Sequence, residues 1–207
     1  MADNVMFNQD QIEFLQEAMN IAYGRGTAAI ADIIESFAKM AVPEIKIIEA
    51  KSIKSFLANK NFDNQKIFLI TQNLNGDIIG ENIFLMGEES AIKLADEFKL
   101  KNSVNETLLS GIISEIANIL STTTIGQLAE MLGSESYFEP PEVKVLDSLD
   151  KIDENSFIEY KQIIAISTIL EFEEQKIYGR LMLLITEDSV EWMQRAIDSV
   201  IGEMEDV

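Results

Sequence analysis

Four residues of this chain have the types and spacing to do chemistry in pairs. Glu17 with Asn20 and Glu115 with Asn118 are the only two Glu-x-x-Asn pairs in the 207-residue sequence, and they lie 98 positions apart. An Asn carboxamide is a poor base and a poor nucleophile, but it donates and accepts hydrogen bonds at once and can hold a water in one orientation. A Glu, ionised at neutral pH, can grip a lysine. Holding a water is what phosphoryl transfer to water requires once a metal ion and a lysine neutralise the phosphoryl charge. The pair brings neither, so it makes sense as one part of a site whose other parts belong to a partner.

Composition narrows the field by elimination. The chain has no cysteine and no histidine. Thiol nucleophiles, disulfides, most zinc sites and imidazole acid-base catalysis are therefore excluded. A net charge of −20 opposes nucleic acid and anionic membrane as partners, because both need clustered Lys and Arg. A protein that offers basic groups is the more natural counterpart, although an acidic surface also serves solubility alone. The longest apolar runs, "LMLLI" and "IFLI", are strand-sized, and "MADNVMFNQDQ" carries neither a basic nor a long apolar segment. These features predict a cytoplasmic protein with a packed core.

The elements that must position the pairs are helices. Residues three apart share a helix face, so each Glu projects beside its Asn. In the first segment Ile12, Leu15, Met19 and Ala22 read as the buried stripe, and Glu13, Glu17, Asn20, Gly24 and Thr27 fall on another face. In the second, Ile112, Ile116 and Ile119 supply the stripe, with Glu115, Asn118 and Thr122 together. The spacing predicts all four site residues to be solvent-accessible. Gly24 costs a helix about 1 kcal/mol relative to alanine, so it reads either as a close-approach point for a partner's backbone or, with Gly26, as a helix break.

Around the pairs the sequence repeats itself. Pro43 lies 23 positions after Asn20 and Pro141 lies 23 after Asn118, in a chain with only three prolines. "PEIKII" and "PEVKVL" then read as short strands opened by a proline that ends the preceding helix. "IFLITQNLNGDIIGENIFLM" reads as a hairpin around Asn75-Gly76, and "IIAISTILEFEEQKIYGRLMLLI" as its counterpart. "EESAIKLADEF" and "EDSVEWMQRAI" open helices with acids where the backbone N–H groups favour negative charge. The join "KLKNSVNE" holds no Gly, Ser or Pro spacer of domain-linker type. The expected fold is α+β: one domain over 1–207, made of two pseudo-symmetric helix-strand-hairpin-helix repeats at about 8–100 and 103–204. They share a mixed, largely antiparallel six-stranded sheet with long helices packed on it.

At these residues the sequence resembles the CheC/CheX/FliY family of chemotaxis phosphatases, which hydrolyse the aspartyl-phosphate of the response regulator CheY. The family signature is an Asp or Ser, three residues, Glu, two residues, Asn, 22 residues and Pro. "EFLQEAMN" reaching Pro43 and "GIISEIAN" reaching Pro141 keep the Glu, the Asn and the gap. The opening Asp or Ser is Glu13 in one copy and Gly111 in the other, with Ser110 one place early, so unequal sites are expected, the first the better match because Asn20-Ile21 leads into Gly24 as the family's helix does. Two copies and a chain that stops at Val207, soon after its last helix, make the layout CheC-type.

The resemblance implies that Asn20 and Asn118 orient the attacking water and that Glu17 and Glu115 bind the regulator's active-site lysine. It implies a phosphorylated CheY-type regulator as substrate and CheD, the receptor deamidase, as a further partner. The chain itself is expected to bind no cofactor, with Mg²⁺ held in the regulator. The competing expectation is a non-catalytic adaptor that binds or sequesters CheD or a regulator. Its surface would be the last helix, where Val190, Met193, Ile197, Val200, Ile201 and Met204 form an inward stripe and Trp192 falls off it as a candidate anchor.

Overall fold

A computed structural model describes residues 7–34, 39–40, 44–99, 104–157, 163–172 and 175–205. Pro43 lies outside them. Two helices of 26 residues dominate, α1 over Gln9–Ile34 and a matching one over Glu106–Met131 that opens the second half. Asn8 opens α1 through a reciprocal cap: its Oδ1 accepts from the Gln11 amide at 2.9 Å, and the Gln11 side chain accepts from the Asn8 amide at 2.9 Å. Along α1, Leu15, Ala18, Met19, Ala22, Tyr23 and Ile30 are buried at helical spacing.

In chain order the strands and remaining helices are β1 (Lys39–Met40), β2 (Glu44–Ile48), α2 (Ile53–Leu57), β3 (Ile67–Gly76), β4 (Gly80–Gly87) and α3 (Glu88–Glu97), followed by α4, the helix over Glu106–Met131. Then come β5 (Ser136–Phe138), β6 (Glu142–Leu146), β7 (Ile163–Phe172), β8 (Ile177–Ile185) and α5 (Glu187–Glu205). The sheet has eight strands among the described residues, two more than the sequence suggested, and every pairing is antiparallel rather than mixed. The additions, β1 and β5, are two and three residues long, too short to carry a periodic signal.

The pairing crosses between halves. Hairpin β3–β4 meets hairpin β7–β8 through β4 and β8, with Ile83 opposite Met182, 99 positions on. β2 pairs with β7 of the other hairpin, Glu44 opposite Ser167. β6 pairs with β3 in return, Glu142 opposite Thr71.

Alternation along the strands splits the core in two. Phe68, Ile70, Leu74, Phe84, Ile166, Leu170 and Leu181 face α1, α3, α4 and α5. Ile67, Leu69, Ile83, Leu85, Met182 and Leu184 face a thinner cover of Ile53, Leu57, Phe62, Ile152 and Phe157.

Three local expectations change. α4 ends at Met131, ten positions before Pro141: Gly133 takes φ +66 and the Ser134 amide reaches back to the Ala129 carbonyl at 2.8 Å, a left-handed cap that glycine supplies without a Cβ clash. Gly76 still belongs to β3, and the reversal falls after it. A Cβ there would stand 2.6 Å from the Glu135 carbonyl, so this glycine serves a close strand contact with β5 instead of the turn. α4 is also, among the described helices, one long and apolar enough by composition to cross a bilayer, with 44% of its most apolar window buried. Here that apolar surface is used against the sheet and α1.

α1 and α4 run through their glycines without a break. A Cβ on Gly26 would come within 2.9 Å of Thr124 Oγ1, so Gly26 marks where the two helices touch, while a Cβ on Gly24 would meet nothing within 4 Å. Beside this contact Arg25 donates to the Gln127 side chain and lies 4.0 Å from Glu130.

Candidate functional site

Glu17 and Asn20 are exposed on α1, and Glu115 is exposed on α4. No described group bonds any of these three side chains. Asn118 is half-buried, and its Oδ1 accepts a 2.9 Å hydrogen bond from Gln72 Nε2. Thr122 Oγ1 donates to the Asn118 backbone carbonyl at 2.8 Å. Thr27, expected on the open face of α1, is instead buried and donates to the Tyr23 carbonyl at 2.7 Å. Tyr23 itself is fully buried; burial pushes its phenol well above the ordinary tyrosine range, and its hydroxyl donates to the Ile166 carbonyl at 3.4 Å.

Gln72 lies outside both Glu-x-x-Asn motifs and meets Asn118 only in the fold. It stands on β3 with 3% of its surface exposed, in line with Phe68, Ile70 and Leu74 on the helix-facing side. A carboxamide in an otherwise apolar alternation was the signal that could have found it. Its Nε2 also donates to the Glu139 carbonyl at 2.8 Å, just before Pro140 and Pro141. Glu139 is held in turn: its amide donates to the Asn73 carbonyl at 3.1 Å, and its carboxylate accepts from Asn73 Nδ2 at 3.0 Å and Asn75 Nδ2 at 3.3 Å. Helix, hairpin and the proline-preceding segment therefore converge behind Asn118.

The flank of the second pair is apolar. Glu115 borders a groove of about 610 Å³ lined by Ile33, Phe98, Leu108, Ile112, Ile116 and Ile119. The stripe expected to be buried is thus only partly so: Ile116 is covered, whereas Ile112 and Ile119 open onto this groove. Trp192 is half-buried against the main core and is not a freestanding anchor.

On the opposite sheet face the halves carry opposite charges at corresponding places. Glu81 on β4 is pushed above the ordinary carboxylate range by burial, with Lys144 opposing. Arg180 on β8, 99 positions on, is pushed down by burial with Glu44 opposing, and its guanidinium lies 4.6 Å from the centre of the Phe56 ring. Among the described residues no group of three or more acidic side chains is gathered to hold a metal ion.

No family model matches the chain. It is 24% identical over 195 residues to the CheY-P phosphatase CheC of Bacillus subtilis, across 88% of this chain and 91% of that one. The crystal structure of Thermotoga maritima FliY superposes with a TM-score of 0.74 at 16% identity, covering 94% of this chain and 99% of that one. In sequence and in fold the chain is thus similar to CheC and FliY. This family fold extends to the FliM middle domain of Vibrio alginolyticus, with a TM-score of 0.61, 12% identity, and coverage of 87% and 98%. The α+β architecture and its antiparallel sheet are those of the family fold.

Proposed function

We propose that this CheC-type chain dephosphorylates the aspartyl-phosphate of a CheY-type response regulator, using Glu17 with Asn20 and Glu115 with Asn118. The observation that carries the reading is that Glu17, Asn20 and Glu115 are exposed on the two long helices, with Asn118 half-buried beside Glu115. A helix face can enter a partner's site, where a carboxamide orients the attacking water and a carboxylate takes the regulator's lysine. Mg²⁺, on this reading, is held by the regulator's own residues and neutralises the phosphoryl group there. The similarity to the Bacillus subtilis enzyme along most of both chains supports the same assignment. CheD is a further partner on this reading.

The test is the rate of phosphate loss from a phosphorylated CheY-type regulator. Asn20→Ala together with Asn118→Ala is expected to remove the acceleration by about 100-fold or more while leaving the circular dichroism spectrum unchanged, because neither side chain is core. Wild-type rates in the double variant would sink the assignment. The second reading, an adaptor that binds a regulator or CheD without chemistry, draws on the fold shared with the FliM middle domain. Binding of the phosphorylated regulator with no faster phosphate loss selects it.

A further inference from the structure

We propose that Gln72 is a positioning residue for Asn118, making the second copy of the pair the preorganised one; this rests on the phosphatase reading above. Both hydrogens of Gln72 Nε2 are committed, one to Asn118 Oδ1 at 2.9 Å and one to the Glu139 carbonyl at 2.8 Å. Turning the amide over would set Gln72 Oε1 against two acceptors, so its orientation is fixed by its neighbours. In the orientation it holds, Oε1 is buried without a partner, a cost that a packed strand position meets only for a compensating gain.

The gain is the seating of Asn118. With its Oδ1 engaged by Gln72, its Nδ2 keeps both donors free of described partners, and the carbonyl keeps one lone pair. That set suffices to hold a water or a phosphoryl oxygen in one geometry. Asn20 has no such tether among the described residues. Glu44 opposes Ser167 as Glu142 opposes Thr71, so the strand position that corresponds to Gln72 is Thr168, which has a hydroxyl and no carboxamide.

Kinetics in two single-copy backgrounds test this. With Asn20→Ala, leaving the second copy, Gln72→Met should lower kcat about tenfold at unchanged KM. With Asn118→Ala, leaving the first copy, the same change should do nothing. Equal losses in both backgrounds, a loss confined to KM, or no loss in the first would overturn the inference. So would abolition of all activity by Asn20→Ala alone, since the second copy would then be silent. Side-chain ¹⁵N relaxation provides an arm independent of turnover: Asn118 should be rigid and Asn20 mobile, and Gln72→Met should erase the difference. Full activity of the double-asparagine variant would remove the phosphatase assignment of the pairs, while the relaxation arm would still decide the tether.

Discussion

The two copies of the Glu-x-x-Asn pair sit on helices of equal length and present the same two residue types, yet they are held differently. Behind Asn20 the helix is backed by its own buried residues, Tyr23 and Thr27, whose hydroxyls bond backbone carbonyls. Behind Asn118 a strand residue 46 positions away reaches the carboxamide itself. A shared Glu-x-x-Asn pair therefore does not make identical surroundings. What separates them is the Gln72 carboxamide, which bonds Asn118 and has no counterpart bonded to Asn20 among the described residues.

The largest effect is expected where α1 and α4 touch. Gly26→Leu forces a side chain into Thr124 and should destabilise the protein by about 1–3 kcal/mol, read by denaturant melts. Gly24→Ala, two positions away in open space, should instead stabilise it by about 0.5–1 kcal/mol. If both changes destabilise alike, the helices do not meet as described.

Next comes the difference between single asparagine variants. Asn118→Ala is expected to lower the total rate about tenfold, roughly 1.4 kcal/mol, and Asn20→Ala by less than about twofold. Equal losses would make the copies equivalent and the tether irrelevant.

The smallest effect is electrostatic. The Glu81 carboxyl has a raised pKa in the folded chain, so the folded state binds its proton more readily than the unfolded state. Its stabilising contribution is complete below the ordinary Glu range and is lost as pH rises through the folded value. Glu81→Gln should remove that slope, seen as a melting temperature that changes less between mildly acidic and neutral pH. An unchanged slope would assign it to other carboxylates.

Much of this was legible in the sequence, and the reasons for the rest are physical. Leu15, Met19 and Ala22 followed helical spacing and are buried, and the exposure of Glu17, Asn20 and Glu115 followed from the same periodicity. Local periodicity says which face of an element is apolar. It does not say which strand lies alongside it, so the pairing of β2 with β7 and β6 with β3 could not be read from neighbouring residues. Gln72 was hidden for the same reason, since its partner is set by tertiary pairing. Thr27 was misplaced because a threonine can satisfy its hydroxyl on the preceding turn and then tolerate burial. Gly26 needed the facing Thr124 to explain it.

The exchanged strands have one more implication. Gln72 belongs to the N-terminal half and Asn118 to the C-terminal half, so the tethered site is jointly owned. A C-terminal half cut free would carry its motif letter for letter, from Glu115 to Pro141, and still lack the amide that steadies it. For this architecture the structural unit around Asn118 is larger than the sequence word that marks it.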